Sequence, residues 1–336
     1  MQLRVKYINY TCLLALSAIC MLSCKKDTPY ATPVPSDKLQ NQAIKRTLGP
    51  NIVGQQIEFA YAMAILSPKV KLVSCVAEAS IAGASGTYME NRSFYTASTG
   101  ADVGVVVGSP SVTAKTTTTV TYTKDTSAAT LRYYYVIPEE ARGKSVTIKF
   151  TATASDGETI STTMGPYTIA KMDMVLNMKV TDSNLMYISI GDTAVYNASN
   201  AAAHAASIDL VYLYRANVTT SAFNHALVAP AADPQYLPGV TLPAGVNRTA
   251  KLLKVYNLQD FNLAHEQYGI YIDDVDFTQL DLTGNPNFAI NLKAEAGVWI
   301  ETADKKYRAY IFLNSVTAPK GAVPASAILS IKRYAL

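Results

Sequence analysis

Four aspartates crowd one short stretch: Asp273, Asp274, Asp276 and Asp281. Read as a strand, Asp274 and Asp276 share one face, with Cα atoms roughly 6.5–7 Å apart. Two carboxylates could serve a glycosidase, but neighbours on one strand point the same way, and hydrolysis needs groups opposed across a cleft. They could also hold calcium, which takes several oxygen ligands. An EF-hand loop begun at Asp274 places Gln279 where glycine is needed and Asn285 where glutamate is needed, so that motif is absent. The cluster reads as a solvated strand end or loop, with Asp274 and Asp276 kept as calcium candidates. The three histidines, His204, His225 and His265, have no partner at metal-ligand spacing. His265-Glu266 is followed by Gln267, Tyr268 and Gly269, so the zinc-protease signature fails. No Gly-x-Ser-x-Gly elbow occurs, and Gly104 and Gly108 sit among valines as strand and turn glycines. No catalytic residue and no cofactor emerges, and a non-enzymatic chain is expected.

Trp299 is the one tryptophan. From Ile290 to Glu301 the chain alternates, with Ile290, Leu292, Ala294, Ala296, Val298 and Ile300 on one face and Trp299 among polar residues on the other. The run Tyr307 to Asn314 can pair with it through Ala303–Lys306. Setting Thr302 opposite Tyr307 places Glu301 against Arg308, Trp299 against Tyr310, Ile300 against Ala309 and Val298 against Ile311. That register gives an opposite-charge pair, an aromatic pair and a continuous apolar face. It predicts an outer face carrying Trp299, Tyr310 and Phe312 beside Glu301 and Arg308. A flat ring with nearby hydrogen-bonding groups suits stacking on a sugar, and these five residues are the candidate ligand contacts. The alternative is packing under a loop or against another domain. The remaining aromatics, including Tyr133 to Tyr135, read as ordinary packing.

The elements that must position these residues are mostly strands. Ile57 to Ile65, Val70 to Ile81, Asp102 to Val107, Thr116 to Thr123, Leu131 to Ile137 and Val146 to Ala154 are short and alternating or β-branched. Asp156-Gly157 supplies a hairpin turn, followed by Thr159 to Thr163 and Tyr167 to Ala170. Such a series predicts a β-sandwich over 51–171. The stretch from Val136 through Pro138, Gly143, Val146 and Phe150 to Gly157 resembles the late strands of bacterial immunoglobulin-like modules, without their paired cysteines. Over 172–336 the strands expected are Leu185 to Ile190, Ile208 to Arg215, Gly269 to Asp274, Phe288 to Glu301, Tyr307 to Asn314 and Ala327 to Arg333. Short helices are expected at Ala198 to Ala206, capped by Ser199, and at Leu258 to Gln267, with a long loop over Ala229 to Val246. The fold class is mainly β: an immunoglobulin-like sandwich, then a β-dominated domain with short helical insertions.

The chain opens with Arg4 and Lys6, an uncharged apolar run from about Thr11 to Leu22, and then Ser23-Cys24. This is the layout of a secretory signal peptide, too short for an ordinary spanning helix. With cysteine directly after a small residue it resembles the bacterial lipoprotein lipobox. The resemblance implies cleavage after residue 23, acylation of Cys24 and a lipid tether to a membrane. Residues 24–50, with Pro29, Pro33 and Pro35, read as a flexible tether. The formal charge is +4, from 29 basic and 25 acidic residues. Arg4 and Lys6 leave with the leader, so the mature chain falls to +2. That offers no basic face for nucleic acid. Of the four cysteines, Cys12 and Cys20 lie in the leader and Cys24 takes the lipid. Cys75 is left alone, so no intrachain disulfide is expected, and it reads as a buried, inert thiol.

Several phrases occur together: Ile57 to Met63, Leu131 to Gly143, Ile208 to Arg215, Tyr271 to Asp274 and Val298 to Thr302. They resemble an uncharacterised family of two-domain lipoproteins from Bacteroidetes-type bacteria. The resemblance implies an envelope location at the outer membrane and brings no catalytic residues. Asp192-Thr193-Ala194 matches an O-glycosylation tripeptide of some such bacteria, with Thr193 as acceptor. The expectation is an envelope lipoprotein that binds a glycan or other extracellular ligand. The rivals are a structural, adhesive or assembly subunit partnering an outer-membrane protein and, third, a glycoside hydrolase.

Overall fold

The computed structural model describes residues 37–216, 223–256, 260–261, 265–266 and 272–336. The chain is mainly β with a few short helices, as its period-two patterning requires. The first half holds β1 (Gln40–Lys45), β2 (Gln56–Ala64), β3 (Leu72–Ala79), β4 (Tyr88–Met89), β5 (Arg92–Thr96) and β6 (Asp102–Val106). It continues with β7 (Val112–Ala114), β8 (Thr117–Thr121), β9 (Ala128–Val136), β10 (Ser145–Ala154) and β11 (Thr159–Thr168). One sheet runs β1-β2-β9-β4 and a second runs β11-β10-β3-β8-β7. The two close on a single core, in which Phe150 packs against Phe59, Tyr61 and Tyr133 at ring distances of 5.6, 4.9 and 5.8 Å. Val146, Ile148, Phe150, Ala152 and Ala154 all point inward, as the alternation demands. Burial of each large side chain is worth about 1.5–3 kcal/mol. Cys75 lies in this core, and burial pushes its thiol up to about 12.

Two sequence expectations change here. Residues 24–50 are not tether throughout: Leu39 is buried and Gln40–Lys45 form a six-residue ladder with β2. The polar run of Gln40 to Gln42 hid this strand, because it lies at a sheet edge and needs few apolar residues. The two short strands expected after Gly157 are one, β11, running through Gly165-Pro166. The leader, Cys24 and the prolines up to Pro35 lie outside the described residues.

The second half contains β12 (Asp173–Thr181), β13 (Tyr187–Ser189), β14 (Ala194–Tyr196), β15 (Leu210–Arg215), β16 (Phe223–Val228) and β17 (Lys251–Val255). After these come β18 (Asp260–Phe261), β19 (His265–Glu266), β20 (Phe288–Leu292), β21 (Gly297–Glu301), β22 (Tyr307–Thr317) and β23 (Ser326–Ala335). Two five-stranded sheets, β12-β23-β22-β21-β17 and β14-β13-β15-β16-β20, enclose Leu210, Tyr212, Leu227, Val298, Ile300, Ile311 and Leu329. The alternation read as one strand from Phe288 to Glu301 is two strands in different sheets. Asn291 and Glu295 take positive φ (56° and 67°) and turn the chain across the sandwich. Helix α1 (Ala198–Ala203) is capped by Asn197, whose side chain accepts from Asn200 N at 2.9 Å, and not by Ser199. Of the helix expected over 258–267, the described residues form the β18–β19 ladder. The strand expected over 269–274 gives way to α2 (Asp274–Gln279), and residues 269–271 lie outside the described set.

The two halves meet at residues 170–173. Lys171 N and Met172 N both donate to the Asp274 carboxylate, at 2.6 and 3.1 Å, while Arg142 donates to the Lys171 and Met172 carbonyls.

Candidate functional site

The register predicted around Trp299 is the one observed: Trp299 lies opposite Tyr310, Ile300 opposite Ala309, Val298 opposite Ile311 and Glu301 opposite Arg308. Its exposure is not as expected. Trp299 is 8% accessible, Tyr310 1% and Phe312 3%. They form a second core with Phe277 and Leu282 above, Tyr334 beside, and Ile52 and Ala170 contributed by the first domain. Phe277 meets Trp299 edge-on at 5.5 Å and stacks on Tyr334 at 5.8 Å. Arg308 pairs with Glu301 at 3.0 Å, and its Nη1 donates to the Phe277 carbonyl at 2.7 Å. A face so covered has no room for a sugar ring. Sheet alternation cannot report what lies over the outer face; the ligand contacts are not found there, and the packing against another domain named beside them is.

What lies over it is built by the acidic cluster. Asp273 caps α2, accepting from Val275 N at 2.8 Å, and Asp276 accepts from Asp273 N at 2.8 Å, a reciprocal capping box. Asp274 takes the two linker amides. These carboxylates are spent on backbone donors, and Asp274 and Asp276 start a helix, not a strand. No group of three or more His, Cys, Asp or Glu able to hold a metal ion gathers among the described residues. The cluster and the tryptophan, separate in the sequence, belong to one device: the cap sets the helix, and the helix seats Phe277 on Trp299.

A second place gathers chemistry. Four loops converge at one end of the C-terminal sandwich and enclose a cleft of about 390 Å³. Gly191 and Asp192 follow β13; His204 and Ser207 follow α1; Asp209 precedes β15; Arg248 precedes β17; Thr302, Asp304 and Lys306 belong to the β21–β22 turn, and Tyr307 opens β22. Asp209 is 1% exposed and accepts from Ile190 N at 2.9 Å. Arg248 spans the cleft, with Nε 3.1 Å from Asp209 Oδ1 and Nη2 3.0 Å from Asp304 Oδ1. Burial pushes the Asp209 carboxyl up to about 6, with Asp304 and Asp192 nearby adding to the rise and Arg248 opposing it. Asp192 sits below its ordinary value because Ser207 donates to it at 2.6 Å and Tyr196 at 3.1 Å. For Asp304 burial works upward, but Thr302, Lys306 N and Arg248 outweigh it and hold the carboxyl low. All three reach Oδ1, which keeps Oδ2 as an acceptor.

Ser207, His204 and Asp192 stand together, yet their contacts do not follow the order of a Ser-His-Asp relay. The Ser207 hydroxyl donates to Asp192 at 2.6 Å with the His204 carbonyl also within 3.0 Å, while His204 lies with Nδ1 3.7 Å from Asp192 Oδ2 and stacks on Tyr196 at 4.3 Å. In a Ser-His-Asp relay the serine hydroxyl gives its proton to the imidazole, and here it points to a carboxylate instead. Thr193 lies in the loop after Gly191 at φ 49°, its hydroxyl turned to the Asp192 carbonyl at 2.8 Å. Sequence reasoning named Asp192 and His204 here, and Thr302, Tyr307 and the Ala303–Lys306 turn only as parts of a hairpin. The rest are single polar residues on separate loops, with no shared spacing to reveal them. His225 is buried on β16, sharing a 2.7 Å hydrogen bond with the Tyr212 hydroxyl, and burial holds it below its ordinary value. Among the described residues no helix is long and apolar enough to cross a membrane.

Comparison with known proteins adds the family. A family model for a domain of unknown function (DUF4466) matches residues 36–169, and one for a second domain of unknown function (DUF8576) matches residues 170–336. No curated protein sequence matches the chain. The Bacillus cereus major pilin subunit and the Actinomyces fimbrial adhesin FimA are each 10% identical, with TM-scores of 0.28 and 0.27. They cover 85% and 86% of this chain and 66% and 96% of their own, and at such scores the likeness carries no argument. A DUF4466 family protein from Parabacteroides merdae is 44% identical, with a TM-score of 0.81 over 90% of this chain and 100% of that one. At that identity and coverage, the chain belongs to the DUF4466 family.

Proposed function

We propose that the protein is a non-enzymatic lipoprotein of the bacterial outer membrane, anchored through Cys24, that binds an extracellular ligand in the cleft of its second domain. A glycan is the favoured ligand. The carrying observation is the cleft itself. Its size suits a small ligand, and its carboxylates accept hydrogen bonds from hydroxyls while Lys306 and His204 stand at its margin. Asp209 and Arg248 fix its floor, so the acceptors are positioned before a ligand arrives. The wiring of Ser207 favours binding over hydrolysis.

The course of the chain fits an anchored presenter. Leu39 N donates to Glu158 beside the β10–β11 turn, and Gln40 pairs with Ala64. The end of β1 nearest Cys24 therefore lies at the pole of the first domain opposite the joint. A lipid at Cys24 would hold the first domain near the membrane and the second domain outermost. The relative from Parabacteroides merdae supports a Bacteroidetes-type bacterial source; the envelope setting rests on the Ser23-Cys24 leader.

A glycan array probed with soluble 25–336 tests the ligand. Binding is expected, lost in Asp304→Ala and Tyr307→Ala; an array without hits rejects a glycan. Membrane fractionation of Cys24→Ala tests the anchor, and unchanged membrane partition rejects it. The assembly alternative rests on β11, a ten-residue edge strand without a charged residue. Edge strands commonly carry charges that block pairing with other chains. Concentration-dependent self-association, abolished by Thr162→Lys, would favour that reading.

A further inference from the structure

A chain of charges leads from the first domain into the cleft of the second. Arg142 follows the short 3-10 turn Glu139–Ala141, and Glu139 holds it there, Nη2 to Oε2 at 2.8 Å. Its Nη1 lies 2.7 Å from Asp173 Oδ1. Asp173 turns its other oxygen to Arg333, accepting from Nε at 3.2 Å and from Nη2. Arg333 in turn donates to the carbonyls of Gly191 and Ile190, and its guanidinium lies over the Tyr307 ring at 5.0 Å. Gly191 and Tyr307 are walls of the cleft.

Each link has a reason to transmit position. Arg142, Asp173 and Arg333 side chains are 26%, 30% and 19% exposed, so solvent screens them only in part. Asp173 is shared by two guanidinia, one from each domain, and losing either leaves it half satisfied. Gly191 has no side chain of its own to fix it; it rests against Tyr307, and Arg333 holds its carbonyl. The wall of the cleft is thus set by a cation whose anion is held from the other domain.

We propose that docking of the first domain sets the cleft wall through Arg142–Asp173–Arg333, so that cleft occupancy and domain docking are coupled. The proposal rests on the reading of the cleft as the ligand site. Arg142 and Arg333 are positioning residues. By linkage, a ligand that prefers the ordered wall tightens the joint by the same factor by which the docked joint tightens the ligand.

Hydrogen exchange on the soluble 25–336 chain tests this without any ligand, so an empty glycan array and a failed coupling remain distinguishable. Arg142→Met should raise exchange about fivefold or more at Ile190 to Thr193 and at Tyr307 and Arg308, with β15 unchanged. Arg333→Met should do the same at the cleft while leaving Lys171 and Met172 protected. If Arg142→Met raises exchange only at Lys171 to Asp173, the coupling is overturned and Arg142 is a strap of the joint alone. Should Arg142→Met fold poorly, Arg142→Lys keeps the charge but loses the fork that reaches Glu139 and Asp173 together. It is then expected to give a smaller rise at the same amides, and no rise there overturns the proposal.

Discussion

One hairpin, β21–β22, carries two surfaces of opposite character. Its outer face buries Trp299, Tyr310 and Phe312 in a joint filled from above by Phe277 and from the first domain by Ile52. Its turn gives Thr302, Asp304 and Lys306 to an open, charged cleft. The aromatic face looked like the binding surface and is packing; the turn looked like a connection and carries the acceptors. An aromatic residue on a polar face marks a surface that needs a partner, and the partner here is the protein's own helix and neighbouring domain.

Breaking the joint should have the largest effect. Trp299→Ala is expected to lower stability by about 3–5 kcal/mol in urea unfolding, whereas Lys306→Ala, five residues past Glu301 on the same hairpin, should stay within about 0.5 kcal/mol. Equal effects would erase the contrast. The cleft floor should show itself through pH. The folded Asp209 keeps its proton up to about 6, against 3.8 for the free group. Its contribution is therefore fully present below 3.8 and lost as pH rises through 6, about 3 kcal/mol in all. His225 works the other way, its neutral buried state costing stability as pH falls below 6.5. The Asp209 effect is read as the difference between wild type and Asp209→Asn, in which His225 cancels. A difference that does not change between pH 4 and 6 would refute the buried acid.

Gly297 sharpens the joint side. A Cβ there would lie 1.9 Å from the Tyr310 hydroxyl, so Gly297→Ala must displace the ring. A loss of about 1–3 kcal/mol is expected, with greater exposure of Trp299 read by fluorescence quenching. On the cleft side the smallest effect belongs to the α1 cap. Asn197→Ala should cost about 1 kcal/mol and loosen His204 at the helix end, seen as a shift of its imidazole resonances.

The strands of the first sandwich were legible because each carries its own alternation; Val146 to Ala154 needs no context to be read as half-buried. The register of β21 and β22 was equally legible, since a slip would have put Val298, Ile300 and Ile311 outside. The crossing between β20 and β21 was not, because Lys293 to Ala296 continues the alternation while the backbone turns to the opposite sheet. The capping box was hidden by its own charge: Asp273 and Asp276 look like a ligand cluster until the helix between them is known. The cleft could not be read at all. Asp192, Asp209, Arg248 and Asp304 come together only when four loops meet, and no local rule brings them there.

The course of β1 has a mechanical consequence. If the chain were anchored ahead of β1 while the second domain gripped something outside the cell, the pull would reach β1 from its N-terminal end and run along it. Its six residues pair side by side with β2, so the load falls on the whole ladder in shear and not on one rung at a time. Such a strand resists until its hydrogen bonds fail together. The short, polar edge that first looked like slack would then be the part of the molecule built to bear tension.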